Sequence, residues 1–369
     1  MKVCFILGNS FLEKKGGAEI QAFQLAKYLS NSGHDVYYIY EGKEDNNFKK
    51  YGIKWFTIKR WFPGTLKKSP IITYIKMRNI LDSIEPDIIY KRSAQRHTGF
   101  LGGYCKRRKS KLVFAVSSDN QCKSFFRNDY FLFPYDFLVE KFRIYGVRNS
   151  DLIIAQHEKQ KNMLKENFNL DSIVIPNSHK VPEGPFKKEK PPIISWIANI
   201  KKWKKPELFL DLAEKFEDYS AKFIMAGRPA VDDDYQQSIE SKANSLSNTK
   251  YLGEISFEET NKLLSKSTIF VNTSLPREGF PNTYIQAWMR NTPVVTLNFD
   301  PDDILKEKKI GIHSNKFEKL VSDVKYLLEN KDVRDEMGER AREHAVKNYD
   351  LEKIGKKYLE IFEELVEKV

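Results

Sequence analysis

Short apolar runs alternate with longer amphipathic stretches through most of this chain, the pattern of βαβ units that build parallel sheets. In the first half, KVCFILG (2–8), DVYYIY (35–40), IKWFTI (53–58), DIIYKR (87–92), KLVFAVSS (111–118), DLIIAQ (151–156) and SIVIPN (172–177) predict strands. Helices are predicted between most of them. The clearest are AEIQAFQLAKYLSNSG (18–33), which stops at Gly33 as a helix C-terminus commonly does, and YDFLVEKFRIYGVRNS (135–150). From Ser178 to Pro192 the periodicity gives way to four prolines, a glycine and a charge run, which predicts a linker. A second series follows, with strands at PIISWIA (192–198), AKFIMAG (221–227), KYLGE (250–254), STIFVN (267–272), PVVTLN (293–298) and KIGIH (309–313). Helices are predicted at 205–218, 231–246, 256–267 and 282–291, and throughout from about Asn315, where Leu351, Ile354, Tyr358, Ile361 and Leu365 form an apolar stripe.

The fold class that follows is α/β, with two Rossmann-like domains whose parallel sheets face a cleft across their carboxyl ends. A length of 369 residues suits two cores better than one. With 41% hydrophobic and 30% charged residues, the chain is globular rather than disordered. No apolar run approaches the roughly 20 residues of a membrane-spanning helix. The opening MKVCFILGNS lacks a small-residue cleavage site and reads as a first strand, so a cytoplasmic protein is expected. Cys4, Cys105 and Cys122 form no C-x-x-C pair, which argues against a disulfide framework and a zinc site. The net charge of +12 attracts polyanions, anionic lipid or phosphorylated small molecules without choosing among them.

Three strand-to-helix loops carry candidate chemistry. After the first strand, Gly16 and Gly17 permit a sharp turn into a helix N-terminus, whose free amides and dipole favour an anion. The spacing is not the G-x-G-x-x-G dinucleotide fingerprint, and a plain tight turn explains it equally well. In ANIKKWKKPELF (198–209) several lysines gather at a strand's carboxyl edge just before a helix that Pro206 opens, a place suited to a diphosphate. In REGFPNTYIQAW (277–288), Gly279 allows close backbone approach, Asn282 is positioned to cap the helix, and the first-turn amides face the loop that carries Glu278. An acid at a helix N-terminus is also stabilising without any ligand.

The stretch EGFPNTYIQAWMRNTPVV resembles the E-x7-E segment of family 4 glycosyltransferases, which have the GT-B fold. GGAEIQAFQLAKYLSNSGHDV resembles the family's N-terminal loop and first helix, IAQHEKQKNMLKENFNLDSIVIPNS its run into the crossover, and WIANIKKWKKPELFLDLA its donor-phosphate loop. The resemblance implies retaining transfer of a sugar from a nucleotide-diphosphate donor, a UDP- or GDP-sugar, to the hydroxyl of a glycan or lipid-linked acceptor in cell-surface polysaccharide or glycoconjugate synthesis. It implies an acceptor domain over 1–180, a donor domain over 190–347, and a terminal helix, about 348–369, packing back on the first.

By position, Lys204 matches the lysine that neutralises the donor diphosphate. The family arginine falls on Asn199, leaving Lys201 or Lys202 to supply the second charge. Fixed cations and helix amides can stabilise the leaving diphosphate, so no metal is expected. Glu278 matches the first family glutamate, which contacts the donor sugar, and Gln286 falls where the second would hold the ribose. An amide there still accepts one hydrogen bond, though a weaker one. Gly17, Lys201, Lys204, Gly279, Phe280, Pro281, Asn282 and Gln286 form the implied donor set. In the first domain, Ser118 and Asp119 stand where family members often carry a histidine. Asp119 is therefore the candidate for touching acceptor or donor sugar, and Arg92 for binding an acceptor phosphate or holding Asp119. Asn177 matches a crossover position.

The basic, aromatic stretch KWFTIKRWFPGTLKK (54–68) is expected against an anionic membrane, peripheral at the inner face of the plasma membrane. Two other readings compete. A nucleotide-sugar epimerase of the same fold would need no acceptor, and a nucleic-acid-binding protein would use the positive surface but needs a recognition module that the sequence lacks.

Overall fold

The computed structural model describes residues 1–13, 16–59, 70–123, 134–276 and 279–367, and in it the apolar runs of the first half form one eight-stranded sheet. The elements are β1 (Lys2–Ile6), α1 (Gly17–Asn31), β2 (Asp35–Gly42), β3 (Asn46–Lys50), β4 (Ile53–Lys59), α2 (Pro70–Ile84), β5 (Ile88–Arg92), α3 (Arg96–Cys105), β6 (Lys111–Ala115), α4 (Pro134–Arg148), β7 (Leu152–Ala155), α5 (Glu158–Phe168) and β8 (Ile173–Val174). Their order is β3-β4-β2-β1-β5-β6-β7-β8, parallel except where β3 runs antiparallel to β4. The sequence pattern gives no hint of β3. Its NNFKK carries one apolar residue because it is an exposed edge, where lysines discourage further pairing.

One face of this sheet buries Phe5, Tyr38, Trp55 and Tyr90 against α1 and the C-terminal helix Leu351–Glu367. That helix contributes Ile354, Tyr358 and Phe362, and Gly355 lets it approach α1 so closely that a Cβ there would lie 2.5 Å from the Tyr28 ring. Truncating wholly buried Phe362 to alanine would cost about 3–5 kcal/mol. The other face packs Ile6, Ile39 and Ile89 against α2 and α3. All three cysteines are buried, and burial pushes Cys105 and Cys122 up to about 12, so they are inert core thiols. Trp55 is also wholly buried, whereas Lys54 and Lys59 are exposed, and residues 60–68 lie outside the described residues.

The second sheet is wholly parallel, in the order β11-β10-β9-β12-β13-β14. Its elements are β9 (Ile193–Ile197), α6 (Pro206–Glu214), β10 (Lys222–Ala226), α7 (Asp233–Ser245), β11 (Thr249–Tyr251), α8 (Phe257–Lys266), β12 (Ile269–Asn272), α9 (Asn282–Trp288), β13 (Val294–Thr296), α10 (Ile304–Lys308), β14 (Gly311–His313), α11 (Phe317–Glu329) and α12 (Lys331–Asn348). Helix starts follow local chemistry. Ser256 and Glu259 form a reciprocal capping box on α8, and Pro206 opens α6.

The chain divides into two units, Met1–Ser178 with Leu351–Val369, and His179–Asp350. The segment expected as a linker is anchored on the second unit. Lys188 Nζ donates to the Arg290 carbonyl at 2.8 Å and to Thr292 Oγ1 at 2.6 Å, the Glu189 amide donates to the Lys266 carbonyl at 3.1 Å, and Val181 packs on the core.

Candidate functional site

In the first unit, polar side chains collect where the strands end. Arg92, at the end of β5, is buried and donates through Nη1 to Tyr90 Oη at 3.2 Å and through Nη2 to Asn177 Oδ1 at 2.6 Å, while its Nε has no partner among the described residues. Arg92 therefore does not hold Asp119. Asp119 is buried and accepts at Oδ1 from Gln160 Nε2, 2.9 Å, and His157 Nε2, 3.2 Å. Gly17 begins α1, but the place of a Gly16 Cβ is taken by the Glu19 carboxylate, whose Oε2 would lie 2.3 Å from it. An acid of the chain's own thus sits at the N-terminus that was expected to take an anion. Lys91, wholly buried beside Arg92, donates to Gln95 Oε1 at 2.9 Å, and His97 pairs with Glu41 at 3.0 Å. Burial lowers Lys91 to about 7 against the opposing pull of Glu41 and Glu19.

In the second unit, three strand-to-helix loops are stitched together at one sheet edge. Ile200 N donates to the Arg228 carbonyl at 2.9 Å and Ala198 N to that of Ala226 at 3.0 Å, joining the loop after β9 to the one after β10. Gly227 is required there, since a Cβ would fall 1.7 Å from the Ala198 carbonyl oxygen. Leu275 N donates to the Trp203 carbonyl at 2.9 Å, and Thr273 Oγ1 donates to the carbonyls of Lys204 and Lys205, tying the same loop to the one after β12. Of the lysines carried there, Lys202 pairs with Asp232 at 2.9 Å and lies over Tyr235, whereas Lys201 is exposed. Lys204 is only half-buried as a residue, but its ammonium is packed 4.3 Å from the Trp203 ring centroid. Desolvation there, and then the Lys201 charge, lower it to about 7.

Glu278 lies outside the described residues. The residues after it are fixed from behind. Phe280 buries its ring 5.2 Å from Tyr349 and 6.1 Å from Trp288, so what it and Gly279 can offer a ligand is backbone. Pro281 is the N-cap of α9, and Asn282, expected to cap, is instead the first helical residue, with its side chain hydrogen-bonded to His179. The cause is Pro281, whose fixed φ of −67° with extended ψ takes the capping place. Gln286 is buried and donates through Nε2 to Asn261 Oδ1 at 2.9 Å.

Two family models match the chain: "Glycosyltransferase Family 4" over residues 15–179 and "Glycosyl transferases group 1" over 178–344. Together they span residues 15–344, which include every strand of the two sheets except β1 and all the site residues described above. The chain belongs to the GT-B glycosyltransferases. An uncharacterized glycosyltransferase of Methanocaldococcus jannaschii is 24% identical, with 98% of each chain covered. Among solved structures, sucrose-phosphate synthase from Thermosynechococcus elongatus superimposes with a TM-score of 0.79 at 12% identity over the whole of both chains. Anabaena HepE, solved with UDP and glucose, gives 0.74 at 14% identity, covering 99% of this chain and all of its own.

This glycosyltransferase, an enzyme of hexosyltransferase type, holds polar groups that the sequence reading passed over. His157, Gln160, Lys91, Gln95, His97 and Glu41 each sit among apolar or ordinary helical neighbours in sequence. Only Lys91 left a trace: two consecutive cations close the otherwise apolar run DIIYKR, and a lysine buried within a strand needs a reason.

Proposed function

We propose that the glycosyltransferase moves a sugar, with retention of anomeric configuration, from a UDP- or GDP-sugar to the hydroxyl of a glycan or lipid-linked acceptor. The bond between the anomeric carbon and the phosphate oxygen breaks, the acceptor oxygen bonds to that carbon on the same face, and the proton from the acceptor hydroxyl passes to the departing diphosphate. The leaving nucleoside diphosphate gains charge, so cations fixed near it lower the barrier. The observation that carries this reading is the stitched edge of the second unit. Lys204 is seated by the Thr273 clamp on a loop that also presents Lys201, directly beside the loop running into Gly279 to Asn282. The solved complex of HepE with UDP and glucose agrees with a uridine nucleotide as the first donor to try. Lys201 is the better second cation, because Lys202 is committed to Asp232. In the first unit, Asp119 and Arg92 are proposed on the acceptor side, with Glu278 on the donor sugar.

A thermal-shift panel of UDP, GDP, ADP and their sugar conjugates tests the donor. Selective stabilisation by one nucleotide, absent in Lys204→Ala, is expected. Stabilisation by none, or an equal shift in the variant, would remove the donor site from the second unit. Incubating the donor alone and finding an epimerised sugar would replace transfer with epimerisation.

A further inference from the structure

We infer that His157 is a positioning residue, turning the Asp119 carboxylate so that one oxygen is left to take a neutral sugar hydroxyl. This rests on the reading that Asp119 meets the substrate, and adds the residue that aims it and the chemistry it accepts. Both donors go to the same atom: Gln160 Nε2 lies 2.9 Å and His157 Nε2 3.2 Å from Oδ1, while Oδ2 takes no hydrogen bond among the described residues. Asp119 is only 2% exposed. A carboxylate can accept about four hydrogen bonds over its two oxygens, and a buried one held for stability alone gains by sharing its donors between them. Here two donors crowd one oxygen, and the lone pairs of the other are left to a ligand.

Both donors are held in place. Gln160 Oε1 accepts from the Gln156 amide at 2.9 Å, so the side chain has its oxygen taken and its NH2 facing Asp119. Gln156 Nε2 donates to the Val116 carbonyl at 2.9 Å, which ties the loop after β7 to the loop after β6 that carries Asp119. His157 is the N-cap of α5, where a short acceptor such as serine or aspartate is favoured, yet its side chain makes no cap bond. The residue is buried, and its ring reaches across to Asp119 instead.

The ligand follows from the charge. An ionised oxygen takes a short, strong hydrogen bond from a hydroxyl and repels a phosphate or another carboxylate. Arg92, at the end of the neighbouring strand β5, would be the counter-charge for an anion, but both its terminal nitrogens already donate, to Tyr90 and to Asn177. The half-buried residues Ser117 and Ser118 bring hydroxyls into the same turn as Asp119, and Ser93 Oγ lies 2.5 Å from Ser117 Oγ. Hydroxyls beside a carboxylate oxygen suit the hydroxyls of an uncharged sugar ring, not a phosphorylated one.

Transfer by the full chain, from the nucleotide sugar that the thermal-shift panel selects, is measured on nitrophenyl hexosides and on hexose 6-phosphates. Product from the neutral hexosides is expected. His157→Phe keeps a ring without the N–H, and should lower kcat about tenfold or more with the donor KM unchanged. His157→Gln keeps an N–H and should restore most of it. Gln160→Met, which removes the other donor, should also lower kcat and decides the matter if His157→Phe does not fold. Wild-type kcat in these donor-less variants, equal losses in both His157 variants, or product from the phosphates alone or from no hexoside overturns the inference. Asp119→Asn separates its failure from that of the reading beneath it. The amide oxygen would face both donors and the NH2 the substrate, so kcat should fall. A wild-type kcat there would take Asp119 off the substrate, and the role of His157 with it.

Discussion

The Thr273 hydroxyl donates to the carbonyl of Lys204 at 2.8 Å, shares that bond with the carbonyl of Lys205, and accepts from the Trp196 indole at 2.9 Å. One wholly buried oxygen thus ties a core tryptophan to the loop that carries the candidate diphosphate lysine. Thr273→Val keeps the shape and removes the polar atom, leaving an indole N–H and two carbonyls without this partner. A loss of about 2 kcal/mol in urea denaturation is expected, with nucleotide binding weakened several-fold. If the variant bound nucleotide normally, the clamp would serve stability alone.

Lys204 gives that loop a pH dependence. Its pKa of about 7 leaves the free amine partly neutral at neutral pH, while a diphosphate needs the ammonium. Nucleotide binding should therefore take up a proton, and affinity should fall as pH rises above 7. Calorimetry at pH 8 in buffers of different ionisation enthalpy would reveal the uptake. Lys204→Arg, which cannot titrate, should show none and hold its affinity level. For folding the sign is opposite. An unfolded lysine stays protonated to 10.5, so between about 7 and 10.5 the unfolded chain carries the extra proton and this group's contribution to stability rises with pH.

The parallel strands were legible because each is an apolar run bounded by turn residues, and β9 or β12 could be placed within a residue or two. β3 was not, since an edge strand needs no apolar face. The loop lysines were legible as a cluster, but their division of labour was not: that Lys202 answers to Asp232 and Lys204 to Thr273 depends on contacts 30 and 69 positions apart. His157 was invisible for the same reason. It lies 38 positions from Asp119 and becomes its neighbour only because β6 and β7 pair.

That pairing makes Asp119 testable. Asp119→Asn keeps an oxygen that accepts from both His157 and Gln160, and should cost about 1 kcal/mol. Asp119→Ala removes the acceptor that both buried donors share, and should cost about 3 kcal/mol. A contact between Asp119 and substrate predicts more: Asp119→Asn, though nearly as stable as wild type by urea denaturation, should lose most of kcat. Unchanged kcat in that variant would assign Asp119 to structure alone.

His179 supplies the last test. Its backbone amide donates to the Tyr349 carbonyl at 2.9 Å, its ring lies parallel to that of Phe257 with centroids 6.0 Å apart, and its hydrogen bond with Asn282 holds the start of α9. Burial, and then the Arg290 charge, lower its pKa to about 3 despite that bond, so the ring stays neutral in the fold. In the unfolded chain it takes a proton near 6.5. As pH falls below 6.5 the unfolded state gains a proton that the folded state refuses, and stability drops by up to about 1.4 kcal/mol per pH unit until about 3. His179→Gln retains a hydrogen-bonding side chain that does not titrate. It should be less stable than wild type at pH 7, and by pH 5 that deficit should shrink by about 2 kcal/mol or reverse. Urea midpoints for both proteins at the two pH values decide it. An unchanged deficit would mean that the histidine protonates as readily in the fold as outside it, and that Asn282 is held by something other than a neutral ring.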